Sequence, residues 1–346
     1  MTYGIMSIPA GNIVGKIGYK NGMVLGFSIS ALGALLFFPA SVFHQYGLFL
    51  AALFIVAVGI VLLQVAANPY VTVLGPAKTA SSRLALIQGV GSVGTTVAPL
   101  LGAYFILSRL SESHASSAAV RYPYWGIAGL LIVIALVVFR LKLPVIKPQA
   151  DSTSSATGEK KSVLSFRNLN FGVVAIFLYV GAEVSIGTFL TNYISDTLHI
   201  EVKSANSYVA FYWGSMVVGR LIGAAALKAI KPSYVLGFCA AISMALVLVS
   251  ISSGGQIAVW SMISVGLFNS VMFAVIFSLS VNGLGKYTTK ASGMLSTAIA
   301  GGAIISFSQG FLKDHFTWQI AFILPLLCYL YILFYAVNGY KSRYSI

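Results

Sequence analysis

The chain has 346 residues, of which 58% are hydrophobic and only 8% charged, and its mean hydropathy is +0.91. A soluble domain carries about a quarter charged residues, so a water-filled surroundings is excluded and lipid is the expected solvent. The formal charge of +14 does not indicate nucleic acid in such a composition; it points to Lys and Arg collected in cytoplasmic loops.

Spanning the hydrocarbon core as a helix takes roughly 20 apolar residues. In chain order the candidate spans are 1–15, 23–43, 47–75, 84–108, 124–143, 169–195, 205–227, 233–252, 256–283, 291–312 and 317–338, eleven in all. Threaded from the outside, sixteen basic residues fall on inner connections, among them Lys16, Lys20, Lys78, Arg83, Arg140 and Arg167. Only four, Arg109, Arg121, Lys203 and Lys313, fall on outer ones. This positive-inside bias supports the segment list and places the C-terminus in the cytoplasm of a multi-pass protein of the cell inner membrane. The first segment is short and begins at Met1 with no basic flank, which argues against a signal peptide. A twelve-helix protein lacking its first helix is the simpler account; a genuine eleven-helix protein is the alternative.

Residues 144–166, PVIKPQADSTSSATGEKKSVLSF, read as a flexible cytoplasmic linker. It divides an N-terminal bundle, 1–143 (helices 2–6 of the restored count), from a C-terminal bundle, 167–346 (helices 7–12). The halves echo each other. AANPYVTVLG, a short basic loop and SSRLALIQGVGSVGTTVAPLLG in the first correspond to FNSVMFAVIFSLSVNGLG, a short basic loop and ASGMLSTAIAGGAIISFSQG in the second. Each pair is an Asn-bearing helix, a Lys-containing loop and a Gly/Ser/Ala-rich helix. Two related six-helix halves are the layout of major facilitator transporters, with the substrate near the midplane.

The loop after the first segment, Gly11 to Lys20, resembles the major facilitator signature G-x-x-x-D-R-x-G-R-R. Gly11, Lys16, Gly18 and Lys20 match, and Gly15 stands where an acidic residue is usual. The strings QVAANPYVTVLGP, SSRLALIQ, FLYVGAEVSIGTFLTNY, YWGSMVVGR and GLFNSVMFAVIFSLSVNGLG resemble the fucose/galactose/glucose:proton symporter family, with the glucose/galactose branch nearer than the fucose branch. The resemblance covers essentially the whole chain. It implies an all-α membrane protein of the major facilitator fold, with two pseudo-symmetric bundles and eleven of twelve helices present. It also implies import of a hexose, glucose or galactose with fucose as a further candidate, driven by a proton or sodium gradient. A remnant that no longer transports and a facilitator for another small polar substrate are the competing readings.

Of seven acidic residues, only Glu183 lies inside a predicted span. A carboxyl group at membrane depth costs several kcal/mol unless protonated or paired, so it is the proton-coupling candidate. Tyr179, one turn earlier on the same face, can share a hydrogen bond with it. Gln64 and Asn68 share a helix face at i and i+4, and their amides both donate and accept, as sugar hydroxyls require. Pro69 removes a backbone donor just after them. By the resemblance, Gln64 stands where the fucose branch holds a glutamate, and Gln88 matches a sugar-contacting glutamine. Ala85 and Gly91 replace family asparagines, leaving Gly89, Gly91 and Gly94 as a small-residue face. Asn269 is a further pocket candidate, Asn282 a structural one, and Trp213 is placed to stack on a sugar ring.

Gly11, Lys16, Gly18, Lys20, Arg83 and Arg220 form the gating and scaffold set, with Arg220 expected to snorkel toward the cytoplasm or to pair with a helix end. Cys239 and Cys328 have neither disulfide nor metal spacing and read as packing residues. The histidines fall at outer edges, no metal cluster appears, and no phosphate-cradling loop appears. The expected protein is therefore no enzyme. It binds no cofactor, and its partners are a sugar, a coupling cation and the bilayer. It works as a monomer.

Overall fold

The computed structural model describes residues 2–102, 121–144 and 162–342. The body of the expected linker, the end of the 84–108 segment, and Arg109, Glu112, His114, Asp151 and Glu159 lie outside the described residues. The described chain is a succession of helices: α1 (Thr2–Ile17), α2 (Tyr19–Phe43), α3 (Tyr46–Val73), α4 (Ala80–Gly102), α5 (Arg121–Arg140), α6 (Arg167–Leu198), α7 (Val202–Ala229), α8 (Pro232–Ser252), α9 (Gly255–Asn269), α10 (Met272–Val281), α11 (Thr288–Thr297), α12 (Gly301–His315) and α13 (Trp318–Phe334). No strand occurs among the described residues.

Nine spans are long and apolar enough to cross a membrane, among the described residues. Two of the eleven expected segments are not among these nine. The 16 residues of α1 are too few, and the segment expected over 84–108 runs past Gly102, the last described residue of α4. Two spans are interrupted helices. Gly255–Val281 contains the break between α9 and α10, and Gly285–His315 contains a 3₁₀ turn at Ala298–Ala300 between α11 and α12. Non-helical backbone at membrane depth persists only where protein or a cavity satisfies it, so both breaks mark positions to inspect.

The chain divides into two compact units. The first takes Met1–Tyr70, Gly94–Pro148 and Tyr287–Thr297, and the second takes Val71–Val93, Gln149–Lys286 and Ala298–Ile346. This grouping does not follow the linker, because parts of each sequence half sit in the other's unit. In the first unit small residues let backbones touch. A Cβ on Gly11 would lie 3.1 Å from the Thr289 carbonyl oxygen, and one on Gly33 would lie 2.6 Å from the Val56 nitrogen. The α1 face carrying Ala10 and Val14 packs on Val61, Leu62, Val65 and Ala66 of α3, and Ser292 of α11 donates to the Val65 carbonyl at 3.1 Å. The Phe37 and Tyr124 rings stack at 3.8 Å and join α2 to α5. Gly18 has φ +83 between α1 and α2, which an L side chain resists.

In the second unit α6 is the central helix, with buried residues from Asn168 to Ile194. At its inner end the Asn168 amide nitrogen donates to the carbonyls of Leu279 at 3.2 Å, Ser280 at 3.1 Å and Asn282 at 3.1 Å. One amide thus serves the last carbonyls of α10, which no helical N–H can reach. Asn282 sits at this cap and contributes its backbone carbonyl. Cys239 and Cys328 are free and buried, as packing residues should be.

Candidate functional site

The polar residues of the second unit converge on the break between α9 and α10. Where the helical ladder is interrupted, backbone carbonyls need other donors. The Asn269 carbonyl accepts from the Tyr179 hydroxyl at 3.1 Å. The Ser270 carbonyl accepts from Arg220 Nε at 3.3 Å. Tyr179 and Arg220 flank Glu183, whose carboxylate Oε1 lies 3.9 Å from Arg220 Nη2. Both side chains are sunk into the protein, at 13% exposure for Glu183 and 19% for Arg220. The Glu183 carboxylate also faces the Tyr179 hydroxyl. The third arm of Arg220, Nη1, donates to Ser92 Oγ on α4.

Arg220 therefore turns inward; of the two placements expected for it, snorkelling is corrected, and a helix end is met at Ser270, which caps α9. A buried carboxylate, an unpaired helix-break carbonyl and a serine hydroxyl give its guanidinium three acceptors inside the protein. Taking it to the membrane surface would leave Glu183 buried without its counter-charge.

A second layer fixes this group. Tyr212 is fully buried and donates to the Glu183 carbonyl at 3.1 Å. The Asn269 amide nitrogen donates to the Tyr212 hydroxyl at 3.1 Å, and the Asn269 amide oxygen accepts from Tyr329 at 2.8 Å. Asn269 is 0% exposed, and with both ends of its amide engaged it braces three tyrosines. In this conformation it offers nothing to a sugar. That modifies the pocket role expected for it.

Beyond the ion pair, α6 and α7 run antiparallel. Thr191 meets Asn206 at 3.2 Å, Gly187 meets Trp213, and Glu183 meets Arg220. A Cβ on Gly187 would stand 2.7 Å from the Trp213 ring, so the absence of a side chain there sets the indole's position. Trp213 and Arg220 are seven residues apart and share one face of α7. Trp213 meets Tyr212 edge-on at 5.2 Å and remains 44% exposed. Gln88 lies one turn before Ser92, whose hydroxyl donates to the Gln88 backbone carbonyl at 2.7 Å. The side-chain oxygen of Gln88 is buried and has no hydrogen-bond partner. A vacant buried acceptor is an unfavourable arrangement, and a sugar hydroxyl is a donor that fits it. Of the expected small-residue face, only Gly89 approaches a neighbour, 3.4 Å from Arg220 Cβ, while Gly91 and Gly94 have open space.

Gln64 and Asn68 belong to the first unit, half-buried on α3. Arg83 donates to the carbonyls of Val71 at 3.1 Å, Thr72 at 2.8 Å and Pro76 at 3.0 Å. It caps the C-terminal end of α3, where a cation meets the negative end of the helix dipole. Lys20 lies over the Phe139 ring at 5.8 Å, and Lys16 is exposed. Sequence reasoning missed Ser92, Tyr212, Tyr329 and Gln309. Gln309 is 0% exposed and neither of its amide atoms has a partner. A glutamine inside the apolar α12 was a visible signal for it. Tyr329 stands in an aromatic-rich apolar run that gave none. No group of three or more His, Cys, Asp or Glu suited to a metal occurs among the described residues.

The sequence profile of the Major Facilitator Superfamily matches residues 1–307. A glucose/galactose transporter of Brucella abortus biovar 1 (strain 9-941) is 45% identical over 344 residues, which covers 98% of this chain and 83% of that protein. The L-fucose-proton symporter of Escherichia coli (strain K12) is 33% identical over 360 residues, covering 96% of this chain and 81% of that protein. The crystal structure of the transporter FucP in its outward conformation superposes with a TM-score of 0.89 at 31% identity, over 98% of this chain and 87% of that one.

Proposed function

The chain belongs to the Major Facilitator Superfamily, and from that premise we propose that it is a secondary transporter, not an enzyme, importing a hexose together with a proton by alternating access. The substrate class is glucose or galactose, with fucose as a third candidate, because the relatives named for these sugars match along nearly the whole chain. The charge bias of the loops supports an inner-membrane protein with a cytoplasmic C-terminus. We assign it to work as a monomer.

The observation that carries the coupling assignment is the buried Glu183–Arg220 pair at the helix break. Protonating Glu183 removes the carboxylate charge that holds Arg220 Nη2. Arg220 is then bound only through Ser92 and Ser270. The protonation state of one carboxyl group on α6 thereby sets how firmly α7 is tied to α4 and to the α9–α10 break. Such a link is what a proton-driven conformational change requires. Tyr179 supplies a hydroxyl beside the carboxylate through which the proton can be passed. Gln88 and Trp213 are assigned to the sugar, by hydrogen bond and by stacking. Gln64 and Asn68 are assigned a sugar-contacting role on their own face of α3, because paired amides suit hydroxyls. Gly11, Lys16, Gly18, Lys20 and Arg83 are assigned to gating and scaffold.

The test is uptake of labelled glucose, galactose and fucose into proteoliposomes under an imposed pH gradient, with an imposed sodium gradient as the parallel arm. The expected result is accumulation driven by the pH gradient. Glu183→Gln should abolish that accumulation while leaving exchange of internal for external sugar. Full gradient-driven uptake by this variant would remove Glu183 from the coupling step. Accumulation driven by sodium alone would replace the proton as the coupled ion.

A further inference from the structure

A groove of about 310 Å³ lies between α2 and α5, lined by Val24, Ser28, Ala31 and Leu35 on one side and Ala135, Leu136 and Phe139 on the other. Its floor is made of small buried residues, Ala31 and Ala135, and its walls are exposed large ones, with Leu35 at 38%, Leu136 at 53% and Phe139 at 61% exposure. The Ser28 hydroxyl is already donated to the Val24 carbonyl at 2.9 Å, so the groove is apolar in its chemistry. From Val24 to Leu35 it runs for eleven residues, about 16 Å of helix. That is roughly half of a ~30 Å hydrocarbon core, the depth of a single leaflet.

One end of the groove is marked by charge. Lys20 lies one turn before Val24 on the same α2 stripe, and Arg140 lies one turn after Leu136 on the same α5 stripe. The two helices are antiparallel here, so both cations stand at the same end. The Lys20 ammonium is held 5.8 Å above the ring of Phe139, the last lining residue. At the other end Arg121 lies 5.1 Å from the Phe38 ring, in the opposite leaflet.

We propose that this groove is a binding site for one anionic phospholipid, with an acyl chain along α2 and α5 and the headgroup on Lys20 and Arg140. A leaflet-long apolar channel ending in two cations matches that ligand in length and in charge. A zwitterionic lipid fills the apolar part but brings its own cation with its phosphate, and free phosphate satisfies only the charged part. The assignment stands independently of the transported sugar.

The test is native mass spectrometry of the full-length protein released from nanodiscs containing equal amounts of phosphatidylglycerol and phosphatidylcholine with identical oleoyl chains. The expected result is one phosphatidylglycerol retained in preference to phosphatidylcholine. Lys20→Gln and Arg140→Gln should each lower that retention about fivefold and leave phosphatidylcholine retention unchanged. Leu35→Trp, which fills the groove and leaves both cations in place, should lower retention of both lipids. Equal retention of the two lipids by the wild-type chain, or no response to either charge variant, overturns the headgroup assignment. Retention unaffected by Leu35→Trp overturns the groove.

Discussion

The Glu183–Arg220 pair allows a quantitative test of the buried charge network. At 3.9 Å and an effective dielectric of about 20, the Coulomb attraction is about 4 kcal/mol. Arg220→Met removes this attraction and also vacates the Ser270 carbonyl and the Ser92 hydroxyl. Breaking one side of a buried pair costs about 3–5 kcal/mol, chiefly because the remaining charge is stranded. Glu183→Gln strands the guanidinium in the same way but keeps a hydrogen-bond acceptor beside it, so its cost lies at the lower end of that range. The double variant strands no charge. It should recover most of the loss and give a coupling energy of about 2–3 kcal/mol in a double-mutant cycle. Cys239 and Cys328, free and buried, let a thiol-reactive dye report unfolding in a denaturant series without an added label. Additive single losses, with coupling under about 0.5 kcal/mol, would show that the two groups do not hold each other and would refute the reasoning.

Three further perturbations separate the roles around the pair. Gly187→Val drives a side chain into the Trp213 ring, 2.7 Å from where its Cβ would stand. It should destabilise by about 1–3 kcal/mol and raise the KM for sugar with a smaller change in kcat, alongside a shifted indole emission. Asn269→Leu strands the Tyr329 hydroxyl and removes the amide donor from the Tyr212 hydroxyl, which keeps its own bond to the Glu183 carbonyl. It should cost about 1–3 kcal/mol by the same thiol assay, and a near-neutral result would deny Asn269 its bracing role. Gln88→Leu removes the vacant acceptor. It should leave stability unchanged or improved while raising the sugar KM about two- to tenfold, the worth of one neutral hydrogen bond; an unaltered KM would place the sugar elsewhere.

Much of this protein was legible before any coordinates. Lipid has no hydrogen bonds to offer, so each spanning segment must be a long apolar helix, and the run lengths and loop charges report that directly. The isolated acid Glu183 was equally visible, because a single carboxyl group in an apolar run has few explanations other than function. The positions of Gln64 and Asn68 on one face of α3, and of Tyr179 beside Glu183, followed from the helical repeat alone.

What the repeat does not encode is which face meets which neighbour across long sequence separations. For Arg220 the sequence left two placements open, the membrane surface or a helix end, because nothing nearby in sequence answers its charge. Its partners are 37 positions away at Glu183, 50 at Ser270 and 128 at Ser92, and folding alone assembles them. Asn269 reads as a free amide in sequence and is saturated in the structure, since both of its side-chain partners, Tyr212 and Tyr329, come from other helices. The break after Asn269 carries neither proline nor a glycine pair to announce it, and it is held by donors from α6 and α7. The sequence by itself determined the solvent, the helices and the one acid inside a predicted span, because these depend on local composition. Only the tertiary structure decided how that acid is paired and which amides remain vacant, because a buried polar group's role depends on whether its hydrogen-bonding capacity is already filled.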